Sequence, residues 1–247
     1  MKNTLYTCVL IGFSTCFSLS SHAANQGSIN YKKVTNVHAM LGEKQKAMKA
    51  FIPKEKTDYI NVEFNQNLYR IIEKKPDNTP KDKVTFKAIT VDKNSVTIVD
   101  TKLNEQKSFG KLVDLNYVLH SKINSETKPK ATTKQKEILG YSAKAVTLSS
   151  DHFKGEATVW YTEDIKGRAA PIALANVPGV ILAIESNSIN YQVESIHLKP
   201  ISQGQFIVPS NYREISAGQF QDLQEEAQED LFKKMGNGVR VIRSEDK

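Results

Sequence analysis

No cysteine occurs after Cys16, and Cys8 and Cys16 are the only two in the chain. Both lie in an N-terminal segment that reads as a secretory signal. Met1-Lys2-Asn3-Thr4 gives a short basic start, Leu5 to Leu19 is an uncharged run, and Ser21-His22-Ala23 places small residues before a cut. Such an apolar run is too short for a comfortable membrane span. The expected organisation is a signal peptide at 1–23, cut after Ala23 or Ala24, and one β domain at 24–247. The mature chain then has no disulfide, zinc-thiolate site or cysteine nucleophile. Lipidation at Cys16 is a lesser alternative, because Phe13-Ser14-Thr15 is a poor lipobox. Export leads to the periplasm, the cell surface or secretion. No later run approaches a membrane span, so an integral membrane protein is not expected.

Other absences narrow the chemistry. The chain has no Gly-x-Ser-x-Gly elbow, no P-loop, no Gly-rich dinucleotide fingerprint and no His-Glu-x-x-His pair. The mature histidines, His38, His120, His152 and His197, stand singly. No catalytic residue, metal ligand or cofactor is therefore assigned. Glu163-Asp164 is a pair of adjacent acids, open to acid–base or calcium chemistry or to a plain solvated turn. Glu185, on an apolar strand, either carries a raised pKa or begins a turn. Arginine is scarce, with five against a large excess of lysine at a net charge of +7. That balance argues against nucleic acid and leaves anionic envelope glycans or lipid surfaces as partners, or solubility alone.

What is present is alternation with period two. Ile60, Val62 and Phe64 oppose Tyr59, Asn61 and Glu63; Val84, Phe86 and Ala88, then Leu115, Tyr117 and Leu119, then Ala157, Val159 and Tyr161 repeat the pattern. Polar turn clusters at 75–80 and 92–95 separate the runs. Short strands at this spacing predict antiparallel β structure. Residues 39–51 fit a short helix stopped by Pro53, and the polar stretch Ser121 to Lys136 fits an exposed loop. A second helix is clearer: Ser216 and Gln219 form a capping box, and Phe220, Leu223, Ala227 and Leu231 make an apolar stripe. Gly236 supplies its stop.

Three blocks carry family character: Gly140-Tyr141 before a small-residue strand, the strand end Trp160-Tyr161-Thr162, and Asn176-Val177-Pro178-Gly179-Val180-Ile181. In this order they resemble the GLPGLI family of exported bacterial proteins, across essentially the whole mature chain. Asn176, Val177 and Val180 depart from the family motif, and Ala143 stands where many relatives carry cysteine. The resemblance implies no established activity. Physically, Pro178 presets φ for a turn and Gly179 tolerates the positive φ that a type II turn needs next, so the motif reads as a chain reversal feeding a buried strand. Trp160 and Tyr161 must face opposite sides of their strand, one in the core and one toward a groove or solvent.

Together these features predict a mainly β protein: one strongly curved antiparallel sheet, a half-barrel or bowl, with the C-terminal helix over part of its concave face. The hollow of such a sheet suits a hydrophobic or extended ligand such as a lipid, acyl chain or peptide. The functional expectation is a non-enzymatic binding or carrier protein of the cell envelope. A surface module binding protein or glycan is the alternative, and a hydrolase with dispersed residues ranks third.

Overall fold

A computed structural model describes residues 25–42, 49–74, 95–112, 114–123, 128–174 and 176–236. The signal segment, the turn cluster at 75–80 and the strand expected around Val84, Phe86 and Ala88 lie outside them. The described strands form one open, mainly antiparallel sheet of 12 strands. In chain order these are β1 (Gln26–Asn36), β2 (Glu55–Asn65), β3 (Leu68–Lys74), β4 (Val96–Asp100), β5 (Glu105–Leu112) and β6 (Leu115–Lys122), followed by β7 (Lys130–Ile138), β8 (Tyr141–Ser150), β9 (Gly155–Thr162), β10 (Val180–Ser186), β11 (Ile189–Leu198) and β12 (Arg213–Ile215). Their order across the sheet is β12-β6-β5-β4-β3-β2-β1-β11-β10-β9-β8-β7. Only the short edge strand β12, beside β6, pairs in parallel. Helix α1 is Val37–Met40 and helix α2 is Ala217–Gly236. No helix of the described residues is long and apolar enough to cross a membrane.

The alternation in the sequence sets the two faces. Ile60, Val62 and Phe64 of β2 register with Tyr31, Ile29 and Gly27 of β1 and with Glu73, Ile71 and Tyr69 of β3, and they define an inner face. The connection between β9 and β10, residues 163–179, lies over this face, and Ile165, Ala169, Ala170 and Val177 are buried against it. Two phenols anchor the crossing and the start of the strand it feeds. Tyr69 Oη donates to the Ile172 carbonyl at 3.0 Å and accepts from Leu174 N–H at 3.1 Å, and Tyr31 Oη donates to the Ile181 carbonyl at 2.6 Å. Burial raises the pKa of both phenols, so they remain neutral donors. Farther along the same face α2 packs on Tyr117, Leu112 and Ile215 through Phe220 and Leu223. Its capping box is reciprocal: Ser216 N–H donates to Gln219 Oε1 at 2.9 Å, and Gln219 N–H to Ser216 Oγ at 3.1 Å.

The outer face is treated differently on its two halves. Over β3–β6, residues 201–212 cover Val96, Ile98, Phe109 and Val118 with Ile201, Phe206, Val208 and Tyr212. Over β7–β10 no described segment crosses that face in the same way.

Three expectations need correction. The stretch expected as one loop to Lys136 contains β7 from Lys130 onward; as an edge strand, paired only with β8, it keeps most side chains in water and needs no apolar alternation. The helix expected at 39–51 is the four-residue α1, which reaches only Met40, and residues 43–48 lie outside the described set. The open hollow suited to a lipid or acyl chain is filled by residues 163–179. Beside Tyr69, Arg168, Gly179 and Ile181 a void of about 10 Å³ remains, room for about one water.

Gly179 has φ +67°, and a Cβ built there would stand 2.1 Å from the Thr162 carbonyl oxygen. Gly140 has φ +80° but open space around it. Gly179→Ala is therefore expected to cost about 2 kcal/mol or more, since strain and a backbone clash combine, and Gly140→Ala about 1 kcal/mol. Urea unfolding of the two variants checks the order; equal midpoints would show that the close approach to Thr162 does not matter.

Candidate functional site

The β8–β9 connection builds one wall of a hollow on the inner face. Ser150 Oγ accepts from His152 N–H at 3.2 Å and starts a single 3-10 turn, Asp151–Phe153. Lys154, in the left-handed region at φ +50°, closes it by donating its N–H to the Asp151 carbonyl at 3.0 Å. The turn drives Phe153 into the core, where its carbonyl accepts from the buried Ser188 hydroxyl at 2.8 Å. His152 stays at the rim, edge-on to Phe153 with ring centroids 4.9 Å apart, and its Nε2 lies 3.2 Å from Tyr191 Oη.

The opposite wall is the β9–β10 connection. Its path is fixed by Tyr69 and by Arg168, whose guanidinium donates to the Val177 carbonyl at 2.9 Å while its N–H donates to Gln66. Between the walls is a hollow of about 230 Å³, with Ser150, His152 and Asn176 as its polar groups and Leu148, Ile172 and Leu174 among its apolar ones. A hydroxyl, an imidazole and an amide set among aliphatic side chains supply donors and acceptors beside an apolar surface. That combination suits a ligand that is polar at its edges and apolar on its faces, as a sugar ring is.

The electrostatics around His152 favour its neutral form. Partial burial lowers its pKa first, and the Lys33 ammonium adds to this. Lys33 itself pairs with Glu73 at 3.1 Å. Burial raises the Tyr191 phenol, with Glu73 and Asp58 reinforcing the effect. At neutral pH His152 thus meets the ligand space as an uncharged donor and acceptor.

Of the motif residues named from sequence, Asn176 and Val177 line this hollow, whereas Gly140, Tyr141, Trp160, Tyr161, Thr162, Pro178 and Gly179 do not. Leu139 (φ +51°) and Gly140 (φ +80°) form the two-residue turn between β7 and β8, with Ile138 opposite Tyr141. Thr162 is buried and pairs with Val180, directly after Pro178-Gly179. Asp164 accepts from Ser142 N–H at 3.1 Å, and Glu163 pairs with Lys144 at 2.8 Å, so the adjacent acids tie the end of β9 to β8. Glu185 is half exposed; burial pushes its pKa up, but the hydrogen bond and charge of Lys136, with the nearby Trp160 indole N–H, outweigh this, and the net shift is downward. Among the described residues no group of three metal-binding side chains gathers. Sequence reasoning passed over Ser150, His152 and Asn176 as a group, because they meet only through the long connection. The one signal was the polar run Ser149-Ser150-Asp151-His152 directly after an apolar strand.

The comparisons with known proteins bear on this fold. Residues 43–221 match the family model described as N-glycanase peptide, N-terminal domain. Two solved structures of PNGF-II, in the C2 and P21 space groups, have TM-scores of 0.58 and 0.57 at 20% and 21% identity, and cover 82% and 83% of this chain. The match covers 33% and 34% of those proteins, so the chain spans about a third of their length. No curated protein matches the chain. The family matched is not the GLPGLI family that the motif order resembles. N-glycanases are enzymes, and this overturns the expectation of a non-enzymatic protein: an open β sheet with no catalytic signature was read as a carrier, whereas the family joins this fold to an enzyme class.

Because the folded pKa of His152 lies below its ordinary value of about 6.5, the fold favours the neutral ring. Stability contributed by His152 is full above that ordinary value and is lost as pH falls below it. Thermal unfolding between about pH 7 and 5 is expected to show a steeper loss in the parent than in His152→Gln. Parallel curves would remove His152 from the account.

Proposed function

Because the chain belongs to the family of N-glycanase N-terminal domains, we propose that it serves the enzymatic removal of N-linked glycans from peptides and proteins outside the cytoplasm. In this reading the hollow between the β8–β9 turn and the β9–β10 connection receives part of the glycan. The observation that carries it is the match over residues 43–221, a span that includes every residue lining the hollow. The chemistry of the lining supports it. Asn176 and Ser150 offer hydrogen bonds to sugar hydroxyls, neutral His152 can donate or accept, and Leu148, Ile172 and Leu174 form an apolar bed for the ring.

The test uses the full chain and a denatured N-glycosylated protein, with released glycan measured by mass spectrometry and glycan binding measured by calorimetry. The expected result is glycan binding that falls about tenfold in Asn176→Ala, which removes about one net hydrogen bond, and at least as far in Ser150→Ala, which also lowers the unfolding temperature because its hydroxyl caps the Asp151–Phe153 turn. A chain that neither binds nor releases N-glycans overturns the reading.

A further inference from the structure

Trp160, the only tryptophan in the chain, is buried at 7% exposure and belongs to the main apolar cluster, but from the other side of its strand. It registers with Ala145 on β8 and Ala183 on β10, one residue on from Val159, so its ring lies on the outer face. The small side chains of Ala145 and Ala183 leave a trough for the indole. Lys136 crosses the ring, its ammonium 4.0 Å from the centroid, and is held there by Glu185 at 2.7 Å. The indole N–H is buried and makes no hydrogen bond of ordinary geometry, although it is near enough to Glu185 to help hold that carboxylate ionised. A buried donor left without a well-formed partner is unusual and marks a place where one belongs.

The side chains around the ring run in register. Lys130, Thr147, Thr158 and Glu185 form one row across β7, β8, β9 and β10, and Ser149 stands opposite Glu156 in the next. Beside them a hollow of about 290 Å³ is lined by Lys128, Lys130, Thr147, Leu148, Ser149 and Glu156. The indole face beneath Lys136, with ammonium, carboxylate and hydroxyl groups in the adjoining rows, fits a hydroxyl-rich ring once the lysine moves aside. The face of an indole attracts positive charge, as its contact with Lys136 shows, and the C–H face of a sugar carries the same partial sign.

We propose that this outer face of β7–β10 is a second saccharide-binding surface, in which a sugar ring displaces Lys136 from Trp160 and a sugar hydroxyl accepts from the indole N–H. The choice of sugar as ligand rests on the N-glycanase reading, but the site shares only Leu148 with the inner hollow and none of its polar groups. Lys136 and Glu185 are both substantially exposed, so their pairing yields easily to a ligand.

Trp160 is its own reporter. Its emission in the full chain is titrated with free N-glycan oligosaccharides and with glucose as a simple sugar. A saturable change with the oligosaccharides is expected, retained in Asn176→Ala. Lys136→Ala, which removes the competing cation, is expected to tighten binding roughly two- to fivefold. Trp160→Phe, followed by calorimetry, is expected to weaken it about tenfold; if that variant does not fold, the emission titration and Lys136→Ala decide alone. Emission that stays flat while calorimetry shows binding lost in Asn176→Ala puts the glycan only in the inner hollow and overturns this proposal. Loss of both signals overturns the function proposed above as well.

Discussion

The passage of residues 163–179 across the inner face is the constraint on which the structure turns. An open sheet this wide cannot bury its inner side against itself, and the C-terminal helix reaches only the β5–β6 end. The connection therefore supplies the missing layer, but as irregular backbone it brings polar groups into an apolar interior. Tyr69 resolves part of this, since a single hydroxyl satisfies both a carbonyl and an N–H of the connection. Arg168 satisfies one more carbonyl of the connection, at Val177, and Tyr31 one at the start of β10, at Ile181. The tyrosines sit where hydrophobic bulk is needed and direct their hydroxyls at backbone that would otherwise be orphaned.

The same crossing explains why the Pro178-Gly179 turn is so demanding. The chain must leave the inner layer and enter β10, a strand whose first five residues are all buried, within one step of Thr162. A residue without a Cβ allows that approach, and its positive φ gives the change of direction. The inner hollow is a by-product of this route. Where the connection stands away from the β8–β9 turn, space remains, lined by whichever side chains the two segments present.

Legibility in the sequence followed how each part buries itself. β2, β6, β9 and β10 were visible because their alternation or continuous apolar character records one or two covered faces. The helix α2 was visible because its cap and stripe are local. β7 was not, because most of its side chains before Ile138 are exposed and the strand is specified by its partner β8 rather than by its own pattern. The inner hollow was not visible either. Its polar groups come from positions 150, 152 and 176, and only the long-range anchoring by Tyr69 and Arg168 brings the last of these to the others. Trp160 shows the same limit: alternation stated that it opposes Tyr161, but a tryptophan buried on the solvent side needs Ala145, Ala183 and Lys136 from three other strands.

The family match begins at residue 43, yet the sheet does not. β1, at Gln26–Asn36, lies between β2 and β11 and joins the half-sheet β2–β6 to the half-sheet β7–β11. Ile29 and Tyr31 of β1 are fully buried, and the Tyr31 hydroxyl holds the start of β10, where the crossing ends. Without β1 each half would show an unpaired edge at the centre of the molecule. The physical unit therefore includes residues upstream of the matched span, and a chain trimmed to the limits of the match would lose the strand that makes the two halves one sheet.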